Sequence, residues 1–176
     1  MLVGDDAARP QPGRDELVGV LYHRHHRELV RLAYGLLGDK GEAEEVVQDA
    51  FGALLSRWSS VRDIQAAPGY LRTAVVNGVR GRWRRRRVRA LADRTLRRDP
   101  ASKERDVVEQ AVVLAALAQL PLRKRECVLL RYYADLSEIE TAAVLGVSVG
   151  TVKSQTSKAL TQLAALLEPE RSEVTR

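Results

Sequence analysis

The sequence predicts an all-α protein of two small helical domains, and three observations carry that expectation. Apolar residues recur at helical spacing through most of the chain, and no segment shows the two-residue alternation of a half-buried strand. A length of 176 residues suits one ordinary domain or two small ones, each with a modest core. A stretch without periodicity, residues 89–105, divides two periodic halves and carries Asp99 before Pro100, as a linker would.

Residues 1–13, with Gly4, Pro10, Pro12 and Gly13, show no periodicity and are expected to form a disordered tail. From Asp15 to Leu37 the apolar positions Leu17, Val20, Leu21, Leu29, Leu32, Ala33, Leu36 and Leu37 follow a helix, which Gly38 and Asp39 should stop. A second helix is expected from about Glu42 to Trp58, with Val46, Val47, Ala50, Phe51, Leu54 and Leu55 on one stripe and Gln48, Asp49 and the glutamates opposite. After a loop at Ser59–Ala67, Pro68 suits a helix's first turn, so a third helix should run from about Gly69 into the arginines. On it Leu71, Val75, Gly78, Val79 and Trp83 share one side, while Thr73, Asn77, Arg80 and Arg84 line up on the other. The first domain is thus expected at 14–88, the linker at 89–105, the second domain at 106–167 and a short tail at 168–176.

In the second half, Asp106–Leu120 is helical in pattern, and Pro121 marks a new start before Leu122, Val128, Leu129 and Tyr132. Ser137 and Glu140 have capping-box spacing, Gly146 closes the short helix they begin, and Ser148 can cap a longer helix running to about Leu167. Helix, glycine turn, helix is the helix-turn-helix pattern. Ala142 supplies the small residue needed where the two helices cross, and Val147 and Val152 occupy buried positions of the unit. On the longer helix Val149, Val152, Ala159, Leu160 and Leu163 are expected to pack inward, with Gly150, Lys153, Ser154, Ser157, Lys158 and Thr161 outward. Short hydroxyls and lysines on one arc suit entry into a major groove; the bland alternative is a helical hairpin with a solvated face.

Lys plus Arg number 29 against 23 Asp plus Glu, a net charge of +6. The excess is concentrated in GVRGRWRRRRVR, residues 78–89, which hold seven arginines and no acid. A stripe of Thr73, Asn77, Arg80 and Arg84 beside Tyr70 and Trp83 combines an amide, guanidinium groups and stacking surfaces, a mixture suited to nucleic acid. The alternative is a basic last turn that complements the helix dipole.

Enzyme chemistry finds little footing. His23, His25 and His26 are not spaced to present two metal ligands on one face, and they read as surface histidines. Glu42, Glu44, Glu45 and Asp49 have no partner cluster on another helix and read as a solvated face. One cysteine, Cys127, rules out an intramolecular disulfide and paired-cysteine zinc sites. No phosphate loop, nucleotide fingerprint or nucleophile motif is present, so no catalysis, metal or cofactor is expected. No apolar run reaches membrane-spanning length and no signal peptide is recognisable, which points to the cytoplasm.

EVVQDAF at Glu45–Phe51, the aromatic and arginine-bearing helix, the linker, LPLRKRECVLLRY at Leu120–Tyr132 and LSEIETAAVLGVSVGTVKSQ at Leu136–Gln155 together resemble the bacterial sigma-70 family. The compact two-domain layout is similar to its extracytoplasmic-function (ECF) subgroup, and SVGTVKSQ to an actinobacterial branch. The resemblance implies a promoter-specificity subunit of RNA polymerase. Region 2, the first domain, would dock on the β′ clamp helices through Gln48, Asp49 and Phe51. It would place Tyr70, Thr73, Asn77, Arg80 and Arg84 against the −10 element, with the Ser59–Ala67 loop helping to capture an unpaired base. Region 4, the second domain, would read the −35 element through Thr151, Lys153, Ser154, Ser157 and Lys158, with Arg123 and Arg125 near phosphates and an apolar surface on the β flap. An anti-sigma protein is a further partner the resemblance admits. Thr141 and Thr156 stand where the family commonly has aliphatic residues, and Ile139 where it has a polar one. The rival readings are an autonomous helix-turn-helix regulator and a basic helical RNA-binding protein.

Overall fold

The computed structural model describes residues 13–58, 63–92 and 108–173, and all of its regular structure is helical. Residues 1–12 of the expected tail, 59–62 of the expected loop, 93–105 of the expected linker, 106–107 of the expected second domain and residues 174–176 lie outside the described residues. Helix α1 spans Arg14–Leu37, α2 Lys40–Ser56 and α3 Ala67–Ala92, preceded by a 3₁₀ turn at Ile64–Ala66. Then come α4 Val108–Gln119, α5 Leu122–Val128, a π-helical segment Leu129–Tyr133, α6 Glu138–Leu145 and α7 Val149–Glu173.

The helix ends follow local chemistry. Gly38 takes a left-handed φ of 71° after α1, and its N–H donates to the Tyr34 carbonyl at 2.7 Å. Asp39 then caps α2, its Oδ1 accepting from the Glu42 N–H at 2.9 Å. Most boundaries fall within two residues of expectation, α2 for example at Lys40–Ser56 rather than Glu42–Trp58, and two differ by more. α3 continues to Ala92, so the arginine run is helical throughout, and α7 continues past Leu167 to Glu173.

Helices α1, α2 and α3 pack around Leu29, Leu32, Leu36, Val46, Val47, Leu71, Val75 and Val79, all essentially excluded from solvent. At about 25 cal/mol per Å² of buried apolar surface, side chains of this size each contribute roughly 1.5–3 kcal/mol. The core does not end there. One continuous buried cluster extends through Leu117, Leu120, Cys127 and Leu130 to Leu145 and Ala159. α1 lies against α4, α5 and the π-helical segment, and α3 lies against α6. Gly35 marks one such close approach: a Cβ there would fall 2.9 Å from Leu129 Cδ1. The two halves of the sequence therefore share an interface.

Candidate nucleic-acid interface

The second half builds the helix-turn-helix as its sequence requires. Ser137 Oγ accepts from the Glu140 N–H at 3.2 Å, and the Glu140 carboxylate accepts from the Ser137 N–H at 2.7 Å. That reciprocal cap holds the Glu140 carboxyl below its ordinary range, the Ser137 hydroxyl being the largest cause. Gly146 closes α6 at φ 66°, a conformation that favours glycine, and Ser148 Oγ receives the Thr151 N–H at 3.1 Å to open α7. Inside, Val152 and Ala159 are fully buried and Ala142 is buried at the crossing.

Outside, Thr151, Lys153, Ser154, Ser157, Lys158 and Thr161 are all exposed along α7. Ser154 and Thr161 donate their hydroxyls to carbonyls one turn back, which keeps the arc low. Lys153 is held loosely, with Nζ 3.5 Å from Glu138 Oε2 at an exposed pair of little energetic weight. Leu160, expected inward, is exposed, because Val152, Thr156, Ala159 and Leu163 already fill the inward side. Thr141 and Thr156 occupy buried positions, the Thr141 hydroxyl without a partner, and Ile139 is 73% exposed.

On α3 the expected polar stripe divides. Asn77 and Arg84 are exposed, whereas Thr73 and Tyr70 are half-buried, Thr73 returning its hydroxyl to the Gly69 carbonyl at 3.0 Å. Arg80 is committed elsewhere: Nε donates to Glu126 Oε1 at 2.7 Å and Nη2 to Oε2 at 2.8 Å, while Nη1 lies 3.4 Å from the Leu145 carbonyl. Glu126 is fully buried, so this is an ion pair across the interface between the two halves.

Other arginines of the run are also structural. Arg82 reaches α2 at Glu45, 2.9 Å away, and Asp49, 3.7 Å away. Arg86 pairs with Glu42 at 2.8 Å and donates to the Leu37 carbonyl at 3.2 Å. The acidic face of α2, expected to be simply solvated, is thus partly neutralised by α3. Among the described residues no group of three His, Cys, Asp or Glu side chains could hold a metal ion.

Two expected contact residues lie in the interior instead. Arg125 is 3% exposed, because α5 packs its positive side against the end of α1. Its Nη1 donates to the Leu36 carbonyl at 2.8 Å, and its Nη2 to the carbonyls of Ala118 at 2.6 Å and Leu120 at 3.0 Å. Its guanidinium sits 5.6 Å from the Trp83 ring centre, and burial pushes its pKa down. In this arrangement it faces no solvent through which a phosphate could approach. Phe51 is 4% exposed, inside α2's apolar stripe and against the Tyr22 ring at 5.1 Å. Its neighbours Gln48 and Asp49 are exposed, as is Arg123 on α5. His25 and His26, expected at the surface, are half-buried, His25 beside Glu28 at 3.8 Å and His26 stacked on Tyr22 at 4.3 Å. Cys127 is buried, and burial followed by the Glu126 carboxylate raises its thiol to about 11.

Sequence reasoning missed Glu126 and Trp83 as interface residues. Trp83 Nε1 donates to the Leu36 carbonyl at 3.3 Å, joining Arg125 at the carboxyl end of α1. The only sequence signal for Glu126 was an acid within LRKRECV, among residues that otherwise read as a basic and apolar helix.

Comparison with known proteins agrees with this architecture. Residues 21–89 match the family described as Sigma-70 region 2, and residues 110–163 match Sigma-70, region 4. The chain is 34% identical over 144 residues to the RNA polymerase sigma-E factor of Streptomyces antibioticus, covering 80% of this chain and 78% of that protein. It is 33% identical over 147 residues to the ECF RNA polymerase sigma factor SigM of Mycobacterium tuberculosis, covering 84% of this chain and 75% of the other. Among solved structures, the sigma factor RpoE bound to the anti-sigma factor NepR from Bartonella quintana shares the fold with a TM-score of 0.76 at 22% identity, over 85% of this chain and 96% of that one. CnrH, solved with the cytosolic domain of CnrY, aligns with a TM-score of 0.69 at 28% identity, over 89% of this chain and 91% of that one. The helical architecture, the two matched regions and these relatives place the chain in the sigma-70 family of RNA polymerase sigma factors, in its extracytoplasmic-function subgroup.

Proposed function

We propose that this chain binds core RNA polymerase and directs it to promoters, reading duplex DNA with α7 and helping to open it with α3. The observation that carries this reading is the exposed arc of Thr151, Lys153, Ser154, Ser157 and Lys158 on the second helix of a helix-turn-helix, in a chain whose other half matches region 2. Short hydroxyls permit close approach to base edges and the lysines meet phosphates or guanine. Arg123, exposed at the start of α5, adds a phosphate contact.

On α3, Asn77 and Arg84 are free to meet a displaced strand, with Tyr70 and Thr73 beside them and Arg80 joining once released from Glu126. Gln48 and Asp49 present a polar face to the β′ clamp helices, with Phe51 acting from beneath by holding α2 in shape. Two weak readers joined in one chain and bound to one enzyme gain effective concentration, so neither needs high affinity alone. The chain contributes no catalysis of its own and acts in the cytoplasm; among the described residues no helix is long and apolar enough to cross a membrane. An anti-sigma protein is a fitting regulator, since the RpoE structure was solved with one.

The test is run-off transcription by purified core polymerase on genomic-fragment templates, with and without the chain. Chain-dependent, discrete transcripts are expected. Tight duplex binding by the chain alone, with no initiation added to core, would instead indicate an autonomous regulator.

A further inference from the structure

We infer that Arg80 and Glu126 form a latch that holds the unbound chain closed, occupying the central arginine of the α3 stripe while leaving α7 free. This rests on the reading of α3 and α7 given above. The closing contacts converge on one place. Arg80, on α3, grips Glu126 of α5 with two charge-assisted bonds of 2.7 and 2.8 Å and points its third nitrogen at the Leu145 carbonyl, next to the turn glycine Gly146. On the flank, Trp83 and Arg125 share the Leu36 carbonyl at the end of α1.

The effect on the two readers is unequal. Thr151, Lys153, Ser154, Ser157 and Lys158 stay exposed in the closed form, while Arg80 loses its access to a nucleic-acid strand. The chemistry suits a latch better than a permanent seal. Desolvating two ions offsets most of their attraction, so a buried pair adds little net stability, yet removing one partner strands the other charge at high cost. Such a pair therefore selects one arrangement of the two halves without binding it tightly. When the halves separate, Glu126 regains water and Arg80 can exchange a carboxylate for a phosphate, another oxyanion of matching fork geometry.

Small-angle X-ray scattering on the full chain, with Glu126→Ala and Arg80→Ala, tests the latch. The native chain should scatter as a compact particle, and each variant should show a radius of gyration larger by several ångströms with unchanged helix content by circular dichroism. The same Glu126→Ala chain releases Arg80 and also the exposed Arg123, whose Nη1 lies 3.6 Å from the carboxylate. It should bind a fluorescent single-stranded (dT)20 probe about fivefold more tightly than native at moderate salt, and adding Arg80→Ala should abolish that gain. Should Glu126→Ala lose helix content, scattering by Arg80→Ala decides. A native chain already extended, or folded variants as compact as native, would overturn the latch. Run-off transcription by the native chain separates this from the underlying reading: initiation with compact variants removes the latch alone, whereas latch behaviour without initiation removes the promoter-directing role proposed for α3 and α7.

Discussion

The Arg125 guanidinium donates at 2.8 Å to the carbonyl of Leu36, 89 residues earlier in the chain, and so ties α5 to the last turn of α1. α1 has no basic residue of its own in that turn, and Arg125, Trp83 and Arg86 supply the missing donors to the Leu36 and Leu37 carbonyls. Arg125→Ala removes three donated bonds and leaves buried carbonyls unpaired. It is expected to cost about 2 kcal/mol, seen as a lower urea midpoint. Arg125→Lys should recover little, because one ammonium cannot span the carbonyls of Leu36, Ala118 and Leu120.

Gly78 and Gly81, both in the interior turns of α3, predict opposite outcomes. A Cβ at Gly81 would meet nothing nearer than Arg85 Nη1 at 3.7 Å, so Gly81→Ala should raise stability by up to about 1 kcal/mol through helix propensity alone. A Cβ at Gly78 would lie 3.0 Å from Cγ1 of Val46, which is itself buried between α2 and α3. There the propensity gain meets an overpacking cost of about 1–3 kcal/mol, so Gly78→Ala should melt no higher than the native chain, and below Gly81→Ala.

These glycines also show what was legible in the sequence. Periodicity revealed most of the faces of α1, α2 and α3 because burial repeats every turn, although on α1 it selected the exposed Val20 and passed over the buried Val18. Gly38, Ser137 and Gly146 revealed helix ends because those bonds are local in sequence. Contacts between the halves carry no such period. Arg80 and Arg84 share one stripe in sequence, yet only Arg80 faces α5, and nothing local distinguishes them. Arg125 and Phe51 were expected as contact residues for a related reason: a motif marks which positions matter, but not whether they act from the surface or from the core.

Thr141 is fully buried on α6 and its hydroxyl finds no partner. Thr141→Val replaces that hydroxyl with a methyl group of similar size, removing a desolvated polar atom from the packed side of the helix. A gain of about 1 kcal/mol is expected, which for a protein of this size corresponds to roughly 2–4 °C in Tm. An unchanged or lower Tm would mean that the hydroxyl is satisfied in solution.

The assignment of strand opening to α3 and duplex reading to α7 is separable by template. Asn77 and Lys153 are both exposed and neither lies in the core, so Asn77→Ala and Lys153→Ala should leave the melting temperature nearly unchanged. In run-off transcription with core polymerase each should lower initiation on duplex promoter DNA, by about tenfold for a lost contact of roughly 1.4 kcal/mol. On a template already unpaired across the −10 element, the opening step is supplied in advance. Asn77→Ala should then approach native output, while Lys153→Ala stays impaired because its contact lies in DNA that remains duplex. Equal recovery of both variants would remove the division of labour between the two helices, and recovery of Lys153→Ala alone would reverse it.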